Sequence, residues 1–223
     1  MSFQIAIDGP AGAGKSTIAK RVAQELEFLY IDTGAMYRVI GLYDLEQGVN
    51  IRDEKAVVSA LDEIRIDFRL EEGTPHLYLN GTDVGERIRT EEVGMAASTV
   101  SSYRDVRLKL VAMQQAIAGA QNVVMDGRDI GTVVLPDAPL KIYLTASVET
   151  RARRRLKDLA ARGIPADLAE IEADIEARDH QDQTRKESPL RQAEDAVYLD
   201  TSDMSIEEVT DTILALVRER RES

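Results

Sequence analysis

A glycine-rich segment near the start of the chain has the residue types and spacing that bind phosphate groups. Glycines let backbone N–H groups turn inward onto phosphate oxygens, and a helix that begins here directs its positive end at the same anion. Lys15 can reach the β- and γ-phosphates of a nucleotide, the Ser16 hydroxyl can ligate Mg²⁺, and Thr17 extends the first helical turn. We therefore expect a nucleoside triphosphate site, and the alternative is a glycine-rich turn without a chemical role. The segment that matches G-x-x-x-x-G-K-[ST] is Gly9-Pro10-Ala11-Gly12-Ala13-Gly14-Lys15-Ser16.

Arginines follow two further predicted strands. One strand leads into Asp32 to Arg38 (DTGAMYR), and another leads into Asp126 to Asp129 (DGRD). Residues just past the carboxyl ends of strands line the binding crevice of a doubly wound sheet, so Arg38 and Arg128 are placed to grip a second phosphate. The alternatives are a helix N-cap with a surface arginine in the first segment and an Asp-Gly turn in the second.

A carboxylate, Asp129, stands beside this predicted phosphate clamp. It would repel a phosphate, so we expect it to bind another part of the ligand. Acidic side chains accept hydrogen bonds from the exocyclic amine of cytosine, which makes reading of a base one possibility for Asp129.

A second group of arginines predicts a mobile cover. Arg178, Asp182 and Arg185 recur at i, i+4 and i+7, which places them on one helical face. Together with the preceding basic helix they predict a helix-loop-helix lid over about 151–185, with Arg154 on the side of the triphosphate. The alternatives are a solvated salt-bridge ladder and an ordinary basic helix face. The basic helix carries Arg151, Arg153, Arg154 and Arg155 before a break at Gly163-Ile164-Pro165.

Short apolar strands alternate with helical patterns along most of the chain. This alternation predicts an α/β fold, with a doubly wound, five-stranded parallel sheet that carries helices on both faces. The last helix opens with Ser205 and Glu208, which form a capping box. The predicted strands are Gln4 to Ile7, Phe28 to Ile31, Asn122 to Met125, Leu140 to Thr145 and Ala196 to Leu199.

One stretch interrupts this alternation. Apolar residues at Ile64, Ile66, Phe68 and Leu70 alternate with charged ones, which indicates a half-buried strand. Asn80-Gly81 is a favoured hairpin turn. We therefore expect a small antiparallel sheet within about 61–87. Further on, Ser98 and Arg107 would lie on opposite faces of one straight helix, but a new helix start at Ser102 with Asp105 would bring them together.

Composition limits the possible partners. The formal net charge is −12, which argues against general nucleic-acid binding because that rests on many contacts from Lys and Arg to phosphates. No apolar run approaches the ~20 residues of a membrane helix, and the N-terminus lacks the pattern of a secretory signal. Cysteine is absent, so no disulfide is expected. We expect a cytoplasmic monomer that binds neither nucleic acid nor a membrane.

Five motifs in order resemble those of bacterial cytidylate kinase along nearly the whole chain. The most specific is DGRDIGTVVLPDAP, whereas many enzymes share the phosphate loop. The resemblance implies a single P-loop kinase domain over 1–223. Its core would comprise about 1–60 and 99–223, with an inserted small β subdomain at about 61–98 and the lid at about 151–185. The motifs are GPAGAGKST, DTGAMYR, IRTEEVGMAAS, DGRDIGTVVLPDAPLKIYL and ARDHQDQTR.

The resemblance also implies a role for each site residue. ATP, the co-substrate, would bind the phosphate loop with Mg²⁺, and its γ-phosphate would pass to CMP or dCMP. Catalysis would rest on Lys15, Arg128, Arg178 and Arg185, the last two reaching phosphates as the lid closes. Thr33 stands where the family often has Ser. The CMP phosphate would contact Tyr37, Arg38 and Arg128, the cytosine would contact Ser98, Arg107 and Asp129, and the sugar hydroxyls would contact Asp182.

Two other functions are compatible with the phosphate loop. One is a different small-molecule kinase of this fold, acting on UMP, AMP or a hydroxylated metabolite. The other is a nucleotide-dependent switch, which would hydrolyse ATP slowly and produce no nucleoside diphosphate from a monophosphate. The paired arginines Arg38 and Arg128 argue against the switch.

Overall fold

The computed structural model describes residues 2–71, 74–161 and 163–222. The strands are β1 (Gln4–Asp8), β2 (Leu29–Asp32), β3 (Ile66–Glu71), β4 (Thr74–Leu79), β5 (Thr82–Asp83), β6 (Val123–Gly127), β7 (Leu140–Thr145) and β8 (Val197–Asp200). The helices are α1 (Lys15–Leu26), α2 (Thr33–Glu46), α3 (Glu54–Ala60), α4 (Glu91–Val100), α5 (Arg104–Ala120), α6 (Val148–Ala161), α7 (Leu168–Thr184) and α8 (Ile206–Glu222).

The strands form two separate sheets. The larger is a five-stranded parallel sheet in the order β2-β6-β1-β7-β8, and the smaller is the antiparallel sheet β3-β4-β5. Both were predicted from the sequence, and the α/β fold class is confirmed. All five predicted strands of the parallel sheet are present, with ends that differ by one or two residues and with Leu140–Thr145 reproduced without change.

The register of the parallel sheet brings two loops together. Ile7 lies opposite Asp126 and Asp8 lies opposite Gly127, so β1 and β6 end at the same level. The glycine-rich loop after β1 and the turn after β6 therefore leave the sheet side by side. This alignment results from the pairing of two strands that are more than 100 residues apart in the chain.

One face of the sheet packs against α1 and α8. Apolar side chains of β1, β6 and β7 meet Ile18, Val22 and Ala23 of α1 and Val209 and Ile213 of α8 in one buried cluster. The predicted capping box at the start of α8 is confirmed, since the Glu208 carboxylate accepts the Ser205 amide at 2.8 Å and the Ser205 hydroxyl accepts the Glu208 amide at 3.2 Å. This face anchors the helix that follows the phosphate loop.

Backbone contacts divide the chain into two compact units, Met1–Ile31 with Ala120–Ser223, and Asp32–Gly119. In the second unit α2 and α4 pack closely because Gly41 lies against Ala96, where an added Cβ would come within 2.9 Å of the alanine Cβ. The hairpin turn is confirmed as well, with positive φ at both Asn80 (49°) and Gly81 (84°). The predicted division into core, insertion and lid stays a prediction.

The predicted half-buried strand of the small sheet also has the expected pattern. Ile64 and Ile66 are buried, Phe68 is half-buried and Arg65 is exposed. The side chain of Leu70 lies outside the described residues.

The helix-loop-helix predicted at about 151–185 is formed by α6 and α7. They pack through Ala152, Ile171 and Ile175. One detail of the prediction was wrong, because α7 ends at Thr184 and Arg185 is extended (φ −60°, ψ 145°). The Arg185 Nε instead donates to the Ser188 carbonyl at 2.7 Å, which holds the chain in this extended exit.

The predicted helix start at Ser102 was also displaced. The Ser102 hydroxyl donates to the Thr99 carbonyl at 2.7 Å, and α5 begins at Arg104. The chain nevertheless breaks between α4 and α5, as expected. Among the described residues, no helix is both long enough and apolar enough to cross a membrane.

Candidate active site

The glycine-rich loop forms a backbone cradle between β1 and α1. Gly12 and Gly14 adopt positive φ values of 74° and 88°, in the left-handed region that favours glycine. Gly9 is required by space, because an added Cβ would lie 1.9 Å from the Leu144 carbonyl oxygen. The N-cap of α1 is Gly14, which has no side chain to cap the helix, so the first amides of α1 can meet an anion.

Lys15 is the buried cation of this loop. The residue is 5% exposed, and its Nζ donates to the Pro10 carbonyl at 2.8 Å. Burial and, second, the Arg128 guanidinium lower the pKa of Lys15 to about 7, while the carboxylates of Asp126, Asp8 and Asp182 raise it. A bound anion would therefore add to the stabilisation of the charged ammonium.

Ser16 lies beside a carboxylate that the sequence reasoning missed. Its hydroxyl donates to Asp126 Oδ2 at 2.8 Å, and the Tyr30 hydroxyl donates to Asp126 Oδ1 at 2.8 Å. From the sequence, Asp126 was expected only as part of a turn. Its position at the carboxyl end of a strand next to β1 was the available signal.

A second missed carboxylate, Asp8, ends β1 immediately before the loop. Its oxygens accept the amides of Ile130 and Gly131, each at 2.7 Å. Burial raises the pKa of Asp8 to about 6, although the two amides lower it; the charge of Asp129 raises it further and that of Lys15 lowers it. Asp8 therefore joins the strand that carries the phosphate loop to the turn that carries Asp129.

In the unit formed by Met1–Ile31 and Ala120–Ser223, arginines and aspartates alternate in a chain of ion pairs. Arg128 Nε donates to Asp182 Oδ2 at 2.7 Å, and Asp182 lies 3.9 Å from Arg185. Arg185 is also 3.9 Å from Asp129, which is 5% exposed. Four predicted site residues from the β6 turn and from α7 and its end are thus together in the structure.

Two arginines of α6 bond the backbone of the glycine-rich loop. Arg151 is 4% exposed and donates to the Ala11 carbonyl at 3.0 Å and to Asp179 at 2.6 Å. Arg154 donates to the Thr201 carbonyl at 2.7 Å and to Ala13 at 3.4 Å. From the sequence, Arg154 was expected at the ATP site, whereas no individual role was predicted for Arg151.

Two predicted residues of the same unit lie on exposed surfaces. Arg178 is exposed on α7, and Thr17 is exposed on the first turn of α1. The expected role of Arg178 at the phosphates stays a prediction.

The other predicted substrate residues lie in the second unit. Asp32 caps α2 by accepting the Ala35 amide at 2.9 Å, which starts the helix that carries Thr33, Tyr37 and Arg38. The Arg107 guanidinium lies 5.4 Å from the Tyr37 ring centroid, so α5 brings a cation onto this ring. Arg107 is 5% exposed, and it donates to the Ser101 carbonyl at 3.1 Å.

Ser98 lies on α4, and Arg38 is half-buried on α2. The expected convergence of Arg38 with Arg128 stays a prediction. So does the expected meeting of Ser98 with Arg107.

Comparisons with known proteins agree over nearly the full length. A family model described as cytidylate kinase matches residues 5–219. The cytidylate kinase of Lactobacillus johnsonii is 49% identical over 221 residues, which is 99% of this chain and 96% of that protein. The cytidylate kinase of Shouchella clausii is 52% identical over 220 residues, which is 97% of this chain and 96% of that protein.

A solved structure shows the same fold. A gluconokinase from Sinorhizobium meliloti is 14% identical, with a TM-score of 0.51, and the match covers 99% of this chain and 94% of that one. At this identity the likeness concerns the fold alone.

Proposed function

The chain belongs to the cytidylate kinase family, and from that premise we propose that it transfers the γ-phosphoryl group of ATP to CMP or dCMP. Membership of the family implies ATP as the co-substrate. The observation that supports the division of roles is the buried cluster at the ends of β1 and β6, where Lys15 and Arg128 lie among three carboxylates. Two polyanions must approach each other in this reaction, so fixed cations are its main requirement.

The glycine-rich loop is the proposed donor site. Its inward amides and Lys15 would hold the β- and γ-phosphates, and the phosphates would in turn raise the pKa of Lys15 from about 7 and keep it charged. Arg154 already contacts the loop at Ala13 and would lie on the ATP side.

Mg²⁺ fits the oxygen donors that face the loop. The Ser16 hydroxyl and the Asp126 carboxylate lie 2.8 Å apart, and magnesium in such sites is held by one or two protein oxygens together with phosphates and water. Ser16 would be the direct ligand, with Asp126 as its partner. When bound, the ion would neutralise charge on the phosphates.

The proposed acceptor site begins at Arg128. Its guanidinium now pairs with Asp182, and a phosphate of CMP would take over part of that bonding, together with Tyr37 and Arg38. The second pKa of such a phosphate is about 6, so the acceptor is largely dianionic at pH 7 and needs no general base. An acceptor oxygen bonds to the γ-phosphorus, the bond from that phosphorus to the β-γ bridging oxygen breaks, and ADP leaves.

Recognition of the base would fall to Asp129, Ser98 and Arg107. An acidic acceptor suits the exocyclic amine of cytosine, whereas uracil presents a carbonyl there. Asp182 would hold the sugar hydroxyls. Each of these roles extends the family resemblance to a residue of this chain.

The helix pair α6-α7 is the proposed lid. Its closure would bring Arg178 and Arg185 to the phosphates and exclude water that would otherwise hydrolyse ATP. The expectations that the chain is a cytoplasmic monomer and binds neither nucleic acid nor a membrane stay predictions.

A panel assay tests this function. The protein is incubated with Mg²⁺, ATP and, separately, CMP, dCMP, UMP and AMP, and the products are separated by chromatography. We expect CDP and dCDP to form fastest. Preferred phosphorylation of UMP or AMP, or release of inorganic phosphate without a nucleoside diphosphate product from the acceptor, would refute the assignment.

A further inference from the structure

The carboxylate of Asp8 caps the turn after β6 by accepting its first two amides, whereas the side chain of Asp129, at the start of that turn, makes no capping bond among the described residues. We propose that Asp8 is a positioning residue for substrate selection: it bonds the amides of Ile130 and Gly131 and so fixes the turn whose Asp129 would read the base of the acceptor. This inference rests on the proposed function, in which Asp129 reads cytosine. The two bonds are each 2.7 Å long, and Asp8 is 5% exposed.

The turn at issue is the π-helical segment Ile130–Val134, with Asp129 at its N-terminal end. The Asp129 carbonyl accepts the amides of Val133 at 2.9 Å and of Val134 at 3.2 Å. Its first amides have no partner within the turn, so an outside acceptor must satisfy them. An aspartate in this position ordinarily supplies that acceptor from its own side chain.

Three other aspartates of the chain behave in that ordinary way. Asp32 accepts the Ala35 amide, Asp53 accepts the amides of Lys55 and Ala56, and Asp167 accepts those of Ala169 and Glu170. Asp129 differs, because across the described residues of the turn its side chain makes no capping bond. Asp8 takes the amides instead, so the turn is fixed without a capping bond from Asp129.

The contact between Asp8 and the turn leaves little room. A Cβ added at Gly131 would lie 3.3 Å from Asp8 Oδ2 and 3.2 Å from Lys141 Cδ. Gly131→Ala would therefore press on the same contact without removing a charge. Gly131→Ala is therefore a second variant that disturbs the turn while the Asp8 carboxylate is kept.

The experiment measures steady-state kinetics of Asp8→Asn with CMP, UMP and ATP as varied substrates. An Asn side chain has one oxygen acceptor for the two amides, so the turn loses a charge-assisted bond. We expect the KM for CMP to rise by about 10- to 100-fold and the preference for CMP over UMP in kcat/KM to fall by about 10-fold. The KM for ATP is expected to change by less than about threefold, although Asp8 directly precedes the phosphate loop.

Two controls separate positioning from a general loss of stability. Asp44→Asn makes the same substitution at another fully buried aspartate, on α2, and should leave the kinetics unchanged. Asp8→Asn combined with Asp129→Ala should show the same CMP-to-UMP ratio as Asp129→Ala alone, because Asp8 acts through Asp129.

The outcomes decide two questions separately. A wild-type protein that fails to phosphorylate CMP refutes the proposed function. With an active wild type, an unchanged KM for CMP and unchanged selectivity in Asp8→Asn overturn the role of Asp8, and so does an equal rise in both KM values or a loss confined to kcat. If Asp8→Asn does not fold, Gly131→Ala is measured in its place, and normal selectivity there overturns the proposal.

Discussion

Two buried aspartates, Asp8 at the end of β1 and Asp44 in the last turn of α2, have different surroundings. They are 5% and 0% exposed, and burial is the main reason that the pKa of each rises to about 6. Asp8 accepts two amides and lies near Lys15. Both oxygens of Asp44 lack a hydrogen-bond partner in the part of the chain that the structure describes. Burial of a charged group therefore does not identify a functional residue, whereas its partners do.

The region around Asp8 contains buried charges of both signs. Arg128 pairs with Asp182, Arg151 pairs with Asp179, and Lys15 lies near three carboxylates. At Asp44, by contrast, burial is the cause of the raised pKa. The difference predicts opposite effects for substitutions that remove a buried charge.

The largest effect is expected for Arg151→Ala. The substitution removes the partner of Asp179, whose side chain is 14% exposed, and the bond to the Ala11 carbonyl. We expect the free energy of unfolding to fall by about 3–5 kcal/mol, as measured by urea denaturation at pH 7.5. Arg153→Ala on the same helix removes an exposed pair with Glu149 and should cost about 0.5 kcal/mol or less. Equal losses for the two variants would contradict the comparison.

The next effect concerns activity. Lys15→Ala removes the cation at the centre of the charged region, and we expect kcat to fall by about 10²- to 10³-fold, or about 2.7–4 kcal/mol. Lys20→Ala, an exposed position on the same helix, serves as the control and should retain the wild-type rate. Circular dichroism would establish that both variants fold. Near-normal turnover of Lys15→Ala would remove this residue from the proposed mechanism.

Removal of the unpartnered charge should stabilise the protein. The pKa of Asp44 is about 6 in the folded chain, against an ordinary value of 3.8 for an exposed aspartate, so its contribution to stability is present below pH 3.8 and is lost as the pH rises through 6. Asp44→Asn should therefore raise the free energy of unfolding by about 2–3 kcal/mol at pH 8 and by little at pH 4. Denaturant titrations at the two pH values measure the difference.

The same substitution at Asp8 provides the contrast. Its pKa of about 6 already includes the two amide bonds, so the same pH-dependent gain applies to Asp8→Asn. An Asn side chain offers only one oxygen to the two amides and loses about 1–3 kcal/mol of hydrogen bonding, so Asp8→Asn should stabilise the fold at pH 8 by about that much less than Asp44→Asn. Stabilisation of both variants to a similar extent would show that the partners of Asp8 are unimportant.

The smallest effect is expected in selectivity. Asp129→Ala should lower the ratio of kcat/KM for CMP over UMP by about 10-fold, or about 1.4 kcal/mol, because one polar contact to the base is lost. The KM for ATP should stay within about twofold. Competition between CMP and UMP for limiting ATP measures the ratio, and an unchanged ratio would exclude Asp129 from base recognition.

Structural features that depend on residues close together in the chain were predicted correctly from the sequence. The five strands, the Asn80-Gly81 turn and the Ser205–Glu208 capping box all depend on residues that are neighbours in the chain. The exit of Arg185 from α7 was missed, because it depends on a bond to Ser188 that competes with another helical turn. A helical pattern predicts which residues share a face, but it does not predict the residue at which the helix ends.

The most informative site residues were missed for a different reason. Asp8, Asp126 and Arg151 bond partners that are 122, 110 and 140 residues away in the chain. Each looks ordinary among its own neighbours: an aspartate that ends a strand, an aspartate in a turn, and one of several arginines on a basic helix. Their roles depend on which strands and helices are adjacent in space.

The sequence by itself determined the phosphate loop, the strands and the order of the family's motifs, because glycine geometry, side-chain periodicity and motif spacing act over short stretches of chain. The tertiary structure decided which buried charges have partners. Pairing of β1 with β6 in one register places Asp8 against the turn that carries Asp129, while both carboxylate oxygens of Asp44 are buried without a hydrogen-bond partner among the described residues. That outcome depends on distances between segments that are remote in the chain, and a hydrogen bond exists only when such a distance is about 3 Å.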